Sequence, residues 1–169
     1  AMTKFSAGRA GALALVLSLA LSACAKNAAE TDGLNGAAYG AGSHGGPGSF
    51  QEFSSSVGDR VFFDTDQTDL NERNQATLDK QAEWLNRYPR YRFTVEGHAD
   101  ERGTREYNFA LGSRRSESVK NYLISKGVSA SRLKTTSYGK ERPVATCDDI
   151  SCWSQNRRAV TVLEGAPES

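Results

Sequence analysis

Apolar and polar positions change their period several times along the chain, and each change marks an element. Arg60-Val-Phe-Phe-Asp64 is a short aromatic and β-branched run ending in an acid, which predicts a strand. Asp64 to Asp69 is a polar loop, and Asp69 or Asn71 is placed to cap a helix running to about Arg87. Within that helix Leu78, Ala82 and Leu85 recur at helical spacing, and Pro89 ends it. Tyr91 to Gly97 then alternates, with Tyr91, Phe93 and Val95 against Arg92, Thr94 and Glu96, the pattern of a half-buried strand. Glu106 to Lys126 predicts a second amphipathic helix, closed by Gly127. Ser129 to Arg132 suits a short helical turn, Leu133 to Tyr138 a third strand, Gly139 to Pro143 a turn and Ala159 to Leu163 a final strand. The order β-α-β-α-β-β predicts an α+β fold, a mixed sheet with helices packed on one face. The domain is expected to span residues 53–163, followed by a loose tail over 164–169.

The beginning of the chain has a different texture. Lys4 and Arg9 precede an apolar run, Ala10 to Leu21, that is short for a membrane span, and Leu21-Ser-Ala-Cys24 follows. This is the build of an export signal over residues 1–23. Ala1 stands before Met2 and is left out of this reading. From Ala25 to about Ser56 the composition is Gly, Ala, Ser and Asn, so residues 24–52 are expected to form a flexible tether. Such a tether of ~30 residues has a root-mean-square span of about 30 Å and a fully extended reach of roughly 100 Å. Its glycines lack the strand and helix a phosphate-binding loop requires, and His44 within it reads as a solvated linker residue.

Charge narrows the partners. Without the export segment Ala1 to Ala23 the chain loses Lys4 and Arg9 but none of its 20 acidic residues, so 21 basic side chains fall by two and the net charge becomes −1. A near-neutral chain has no general attraction for nucleic acid, and no such partner is expected. In an exported chain Cys147 and Cys152, five residues apart, are expected to form a disulfide closing a small loop. A metal site would need more ligands than His44, His98 and these cysteines supply.

The stretch Thr94 to Arg115 carries the chemistry. A charged cluster, His98 to Arg102, sits where a strand hands over to a helix. On the second helix Leu111, Arg115, Val119, Tyr122 and Leu123 share one face, with Asn108 one turn earlier, so Arg115 falls in the apolar stripe. It can snorkel, form a structural ion pair, or bind a ligand. A buried guanidinium needs a partner, and Asp100 is the expected one, with room for a ligand carboxylate to share the fork. Glu96, Asp100 and Glu101 lack an accompanying nucleophile, so no catalysis is expected. Two acids, two bases and an amide suit gripping a zwitterion better.

Val61-Phe-Phe-Asp-Thr-Asp66, Glu96-Gly-His-Ala-Asp-Glu-Arg-Gly-Thr104, Tyr107-Asn108, Leu111-Gly-x-Arg-Arg115, Ser137-Tyr-Gly-Lys140 and Asn156-Arg-Arg-Ala159 together resemble the OmpA-like C-terminal domain family, in its peptidoglycan-associated lipoprotein branch. Leu21-Ser-Ala-Cys24 likewise resembles a bacterial lipobox, which implies S-diacylglycerol and N-acyl groups on Cys24 and no other cofactor; the alternative is a plain signal with a chance cysteine. The resemblance implies an outer-membrane lipoprotein, since Ala25 rather than Asp follows the cysteine. It implies non-covalent binding of peptidoglycan through meso-diaminopimelate, with Asp100 on the ammonium and Arg115 on the carboxylate. Asp66, Thr65, Arg102, Asn108 and Leu111 match further pocket positions. Tol proteins, notably TolB, are the implied protein partners. The loop between Cys147 and Cys152, with Trp153 beside it, departs from the family pattern at what would be the rim of the site.

Overall fold

The computed structural model describes residues 45–165. The export segment, Cys24, most of the expected tether including His44, and residues 166–169 lie outside them. The elements run β1 (Arg60–Phe62), α1 (Glu72–Arg87), β2 (Phe93–His98), α2 (Arg105–Ser125), β3 (Leu133–Gly139), α3 (Ile150–Asn156) and β4 (Arg158–Leu163), with a 3₁₀ turn at Ala130–Arg132. The α+β expectation holds. The strands form one sheet in the order β1-β4-β2-β3. β2 runs parallel to β3 (Val95 opposite Thr135) and antiparallel to β4 (Val95 opposite Thr161), while β1 is antiparallel to β4 (Val61 opposite Ala159). This topology brings the C-terminal ends of β1, β2 and β3 and the start of β4 to one edge of the sheet.

The helices begin and end where local chemistry dictates. Asn71, not Asp69, caps α1, its side chain accepting from the Asn74 amide at 2.9 Å. Thr104 caps α2 through the Tyr107 amide. The expected stripe of α1, Leu78, Ala82 and Leu85, is buried against Phe93, Val95, Val119, Leu123 and Leu163 in one core. Gln81 is buried among them without penalty, because its amide donates to the Gly58 carbonyl and its oxygen accepts from Thr161 Oγ1.

The start of α2 lies against the sheet at backbone distance. A Cβ on Gly97 would sit 1.7 Å from the Gly112 carbonyl oxygen, and one on Gly112 would sit 2.4 Å from Ser137 Oγ. These two glycines set how closely the helix approaches β2 and β3, and so where its first turns meet the strand ends.

Two features differ from the sequence expectation. The packed domain starts before residue 53. A π-helical segment, Glu52–Gly58, buries Phe53 against Trp84 at 4.8 Å between ring centroids. Glu52 Oε2 accepts from both Trp84 Nε1 (2.7 Å) and the Gly48 amide (2.6 Å), and Tyr91 Oη donates to the Gly48 carbonyl. Gly48 has φ +74°, and a side chain there would strike the Tyr88 ring. The glycines that read as tether are, at this end, glycines of close approach. The second difference is α3, a seven-residue helix whose first turn includes Cys152 of the disulfide, capped by Asp149 on the Ser151 amide. Seven residues are too few for hydrophobic periodicity to announce them.

Gly97→Ala is expected to destabilise the domain by more than about 3 kcal/mol, since backbone cannot yield as a flexible side chain does. Urea unfolding checks this; a loss below about 1 kcal/mol would show that α2 can lift off the sheet cheaply.

Candidate functional site

The site residues converge at the sheet edge where three strands end and β4 begins. Two loops meet there, residues 63–71 after β1 and 99–104 after β2, with the first turns of α2 between them and α3 beside them.

Arg115 is the keystone, with no exposed surface. Its Nε donates to the Gln67 carbonyl (2.9 Å), Nη1 to that of His98 (2.9 Å) and Nη2 to that of Asp64 (3.0 Å), and its guanidinium lies 5.1 Å from the centre of the Phe63 ring. The expected ion pair with Asp100 is not formed. Two carbonyls of the first loop and that of the last β2 residue solvate the cation instead, and neutral oxygens suffice because they converge from three directions. Burial, then the nearby cation of Arg157, pushes its pKa down to about 10, so it stays charged at neutral pH. Three of its five N–H groups are used and two remain.

Asp100 pairs with other arginines. Its Oδ1 accepts from the Arg102 amide and Arg102 Nε, both at 3.1 Å. Its Oδ2 accepts from Arg102 Nη2 at 2.7 Å and Arg157 Nη1 at 3.3 Å. Four donors fill the roughly four acceptor positions of a carboxylate. Burial works to raise its pKa, but the hydrogen bonds from Arg102 and Arg157 outweigh it and hold the group below the usual carboxylate range.

Arg157 is the residue of the site that the sequence does not single out. It is buried and also donates Nε to the Phe63 carbonyl at 2.9 Å. The signal was present: Arg157 and Arg158 are adjacent at the start of a strand, so alternation alone cannot send both to solvent. Both are in fact buried.

The remaining expected residues fall into two layers. Thr65 and Asp66 lie at the surface; Thr65 Oγ1 accepts from Arg102 Nη2 (3.3 Å), and Asp66 Oδ1 accepts from Tyr107 Oη (3.0 Å). Asp66 has φ +58°, the one non-glycine left-handed residue among those described. Asn108 and Leu111 lie beneath, buried, and the Asn108 amide donates to the Arg102 carbonyl at 2.8 Å. Lys140 ties the second loop from the other side through the carbonyls of Glu101 and Gly103. His98 is a packing residue: burial lowers its pKa against the opposing pull of Glu96, its ring stacks on Tyr138 at 5.6 Å, and its Nε2 approaches Glu96 Oε2 only to 3.6 Å.

The expected disulfide between Cys147 and Cys152 is present. It ties the segment before α3 to the first turn of that helix, and α3 sets Trp153 at the rim. Trp153 Nε1 donates to Glu101 Oε1 at 3.0 Å, and its ring lies 4.2 Å from the Arg102 guanidinium.

Comparison with known proteins gives consistent matches. The OmpA family model matches residues 62–157. A protein from Rhizobium meliloti (strain 1021) named peptidoglycan-associated lipoprotein is 60% identical over 154 residues, covering 91% of this chain and 87% of the relative. One of the same name from Pseudomonas aeruginosa is 43% identical, covering 93% of this chain and 96% of the relative. Among solved structures, the peptidoglycan-associated lipoprotein from Burkholderia pseudomallei superposes with a TM-score of 0.63 at 39% identity, covering 66% of this chain and 96% of that one. The C-terminal domain of Helicobacter pylori MotB shares the fold alone, at 22% identity and a TM-score of 0.59.

Arg115→Ala is expected to unfold the domain more readily even without ligand, by more than about 3 kcal/mol, since it orphans three inward carbonyls at ~1–3 kcal/mol each. Arg115→Lys should recover only part of this. Chemical denaturation measures it, and a change under about 0.5 kcal/mol would mean that the guanidinium does not hold the loops. Asp100 has a depressed pKa in the fold, so its stabilisation is present above its unfolded pKa of about 3.9 and lost as pH falls through the folded value. The stability gap between the parent and Asp100→Asn should therefore be full at pH 7 and close under strongly acidic conditions. A gap independent of pH would contradict the ionised pairing.

Proposed function

The chain belongs to the OmpA family, among the peptidoglycan-associated lipoproteins, and we propose that it ties a membrane to the cell wall by gripping peptidoglycan without cutting it. The ligand in this reading is the free end of meso-diaminopimelate in the stem peptide, which carries an ammonium and a carboxylate. The observation that supports it is a single buried carboxylate, Asp100, set among the cations of Arg102, Arg115 and Arg157. Asp100 offers the anion for the ammonium. Arg115 keeps two unused N–H groups for the carboxylate, and that arriving charge offsets the repulsion between Arg115 and Arg157. Asp66, Thr65 and Arg102 line the surface of the site, while Asn108 and Leu111 support it from below.

At the other end of the chain, acylation of Cys24 anchors it to the periplasmic face of the outer membrane. Two or three acyl chains are needed for lasting attachment, since each buried methylene contributes ~0.8 kcal/mol and one chain holds only marginally. A tether in front of the domain keeps the site near its ligand and permits a modest intrinsic affinity. The protein partners are the Tol proteins, TolB above all, and the role is envelope integrity and outer-membrane constriction at division. No reaction is catalysed.

Pull-down on purified sacculi tests the reading. Asp100→Asn is expected to reduce retention on diaminopimelate-type sacculi about tenfold or more, the weight of a charge-assisted bond, and lysine-type sacculi should bind the parent protein weakly. Equal retention in either comparison would sink the proposed grip. Release of soluble fragments would instead mark an enzyme, and capture of Tol proteins without sacculi would mark a pure adaptor.

A further inference from the structure

We infer that Arg102 is an internal stand-in for the ligand's ammonium, and that Trp153 is the positioning residue that holds it on Asp100 until ligand displaces it. The inference rests on the cell-wall reading above and names what regulates that same site.

The argument begins with a full carboxylate. All four acceptor positions of Asp100 are taken in the structure, three of them by Arg102. A ligand ammonium can bind only where a present donor leaves. The Arg102 amide is fixed in the loop, and Arg157 is anchored on the Phe63 carbonyl with its side chain 8% exposed. The Arg102 side chain is 40% exposed and can swing outward, so it is the group that yields.

What Arg102 must leave includes more than Asp100. Its guanidinium lies over the Trp153 ring at 4.2 Å and reaches Thr65 Oγ1. Trp153 is itself fixed, by its indole bond to Glu101 and by the mounting of α3. A seven-residue helix does not persist alone. Here the Cys147–Cys152 bridge clips one end, and Asn156 brackets the other, accepting from the amides of Val144 and Ala145 and donating to the Ala145 carbonyl. The stacked ring therefore weights the closed state, and every ligand that opens it must overcome that weight.

The probe is a soluble stem tripeptide ending in meso-diaminopimelate, titrated into the full mature chain in detergent micelles. Trp153→Ala is expected to tighten binding about two- to fivefold, the range of an exposed cation–π contact. Trp153→Phe, which keeps an aromatic face but no indole N–H, should stay within about twofold of the parent. The Arg102 Nε–H resonance, shifted upfield by the ring in the unliganded parent, should move on saturation toward its position in Trp153→Ala. Equal or weaker binding by Trp153→Ala, or an Arg102 resonance unmoved at saturation, overturns the latch while leaving the cell-wall reading standing. A parent protein that ignores the tripeptide overturns both.

Discussion

Burial of one guanidinium without a carboxylate partner is the constraint on which the rest of the site depends. Arg115 gathers the carbonyls of Asp64, Gln67 and His98 around itself, so the loop after β1 and the end of β2 are fixed by one side chain of a third element. That arrangement leaves Asp100 free of Arg115 and available to Arg102 and Arg157. It also needs α2 close to the sheet, because an arginine reaches only a few ångströms. The contact of Gly97 with Gly112, three residues before Arg115, provides that closeness. Fold and site are thus one problem: the same helix position that packs the core aims the cation.

Much of this was legible in the sequence, for identifiable reasons. The stripe Leu78, Ala82 and Leu85, the alternation through Phe93 and Val95, and Gly127 after α2 are local signals, and the structure repeats them. The helical wheel correctly put Arg115 among apolar neighbours. It could not say what solvates the guanidinium, because carbonyl acceptors belong to backbone and leave no mark on residue type. Asp100 is the expected partner because it stands at the strand end in the acidic turn before α2, while its actual partners sit two and 57 residues away from it. The sequence marks Asp100 as a paired carboxylate but points to neither Arg102 nor Arg157 as its partner.

The segment before β1 teaches a related lesson. Gly45 to Gly48 and the serines after them have the composition of a linker, yet Phe50 packs against Tyr91 and Phe53 is buried on Trp84. Composition averages over a window, and two aromatic residues in a small-residue run are enough to offset the ordering entropy when a preformed aromatic face is waiting. The stretch Cys147 to Trp153 departs from the family pattern without showing why in its residue types; in the fold, the bridge helps turn a rim segment into a mount for an indole ring.

The placement of that N-terminal segment has a mechanical consequence. Gly48 and Phe53 dock where α1 ends and β2 starts, the edge of the sheet opposite Asp100 and Arg115. Tension applied between the two ends of the domain therefore runs along the strands. In that direction the rungs between β1 and β4 and between β4 and β2 are sheared together instead of being peeled open singly. A brief pull is shared across the whole ladder, and the domain can remain folded for as long as its grip on the far side lasts.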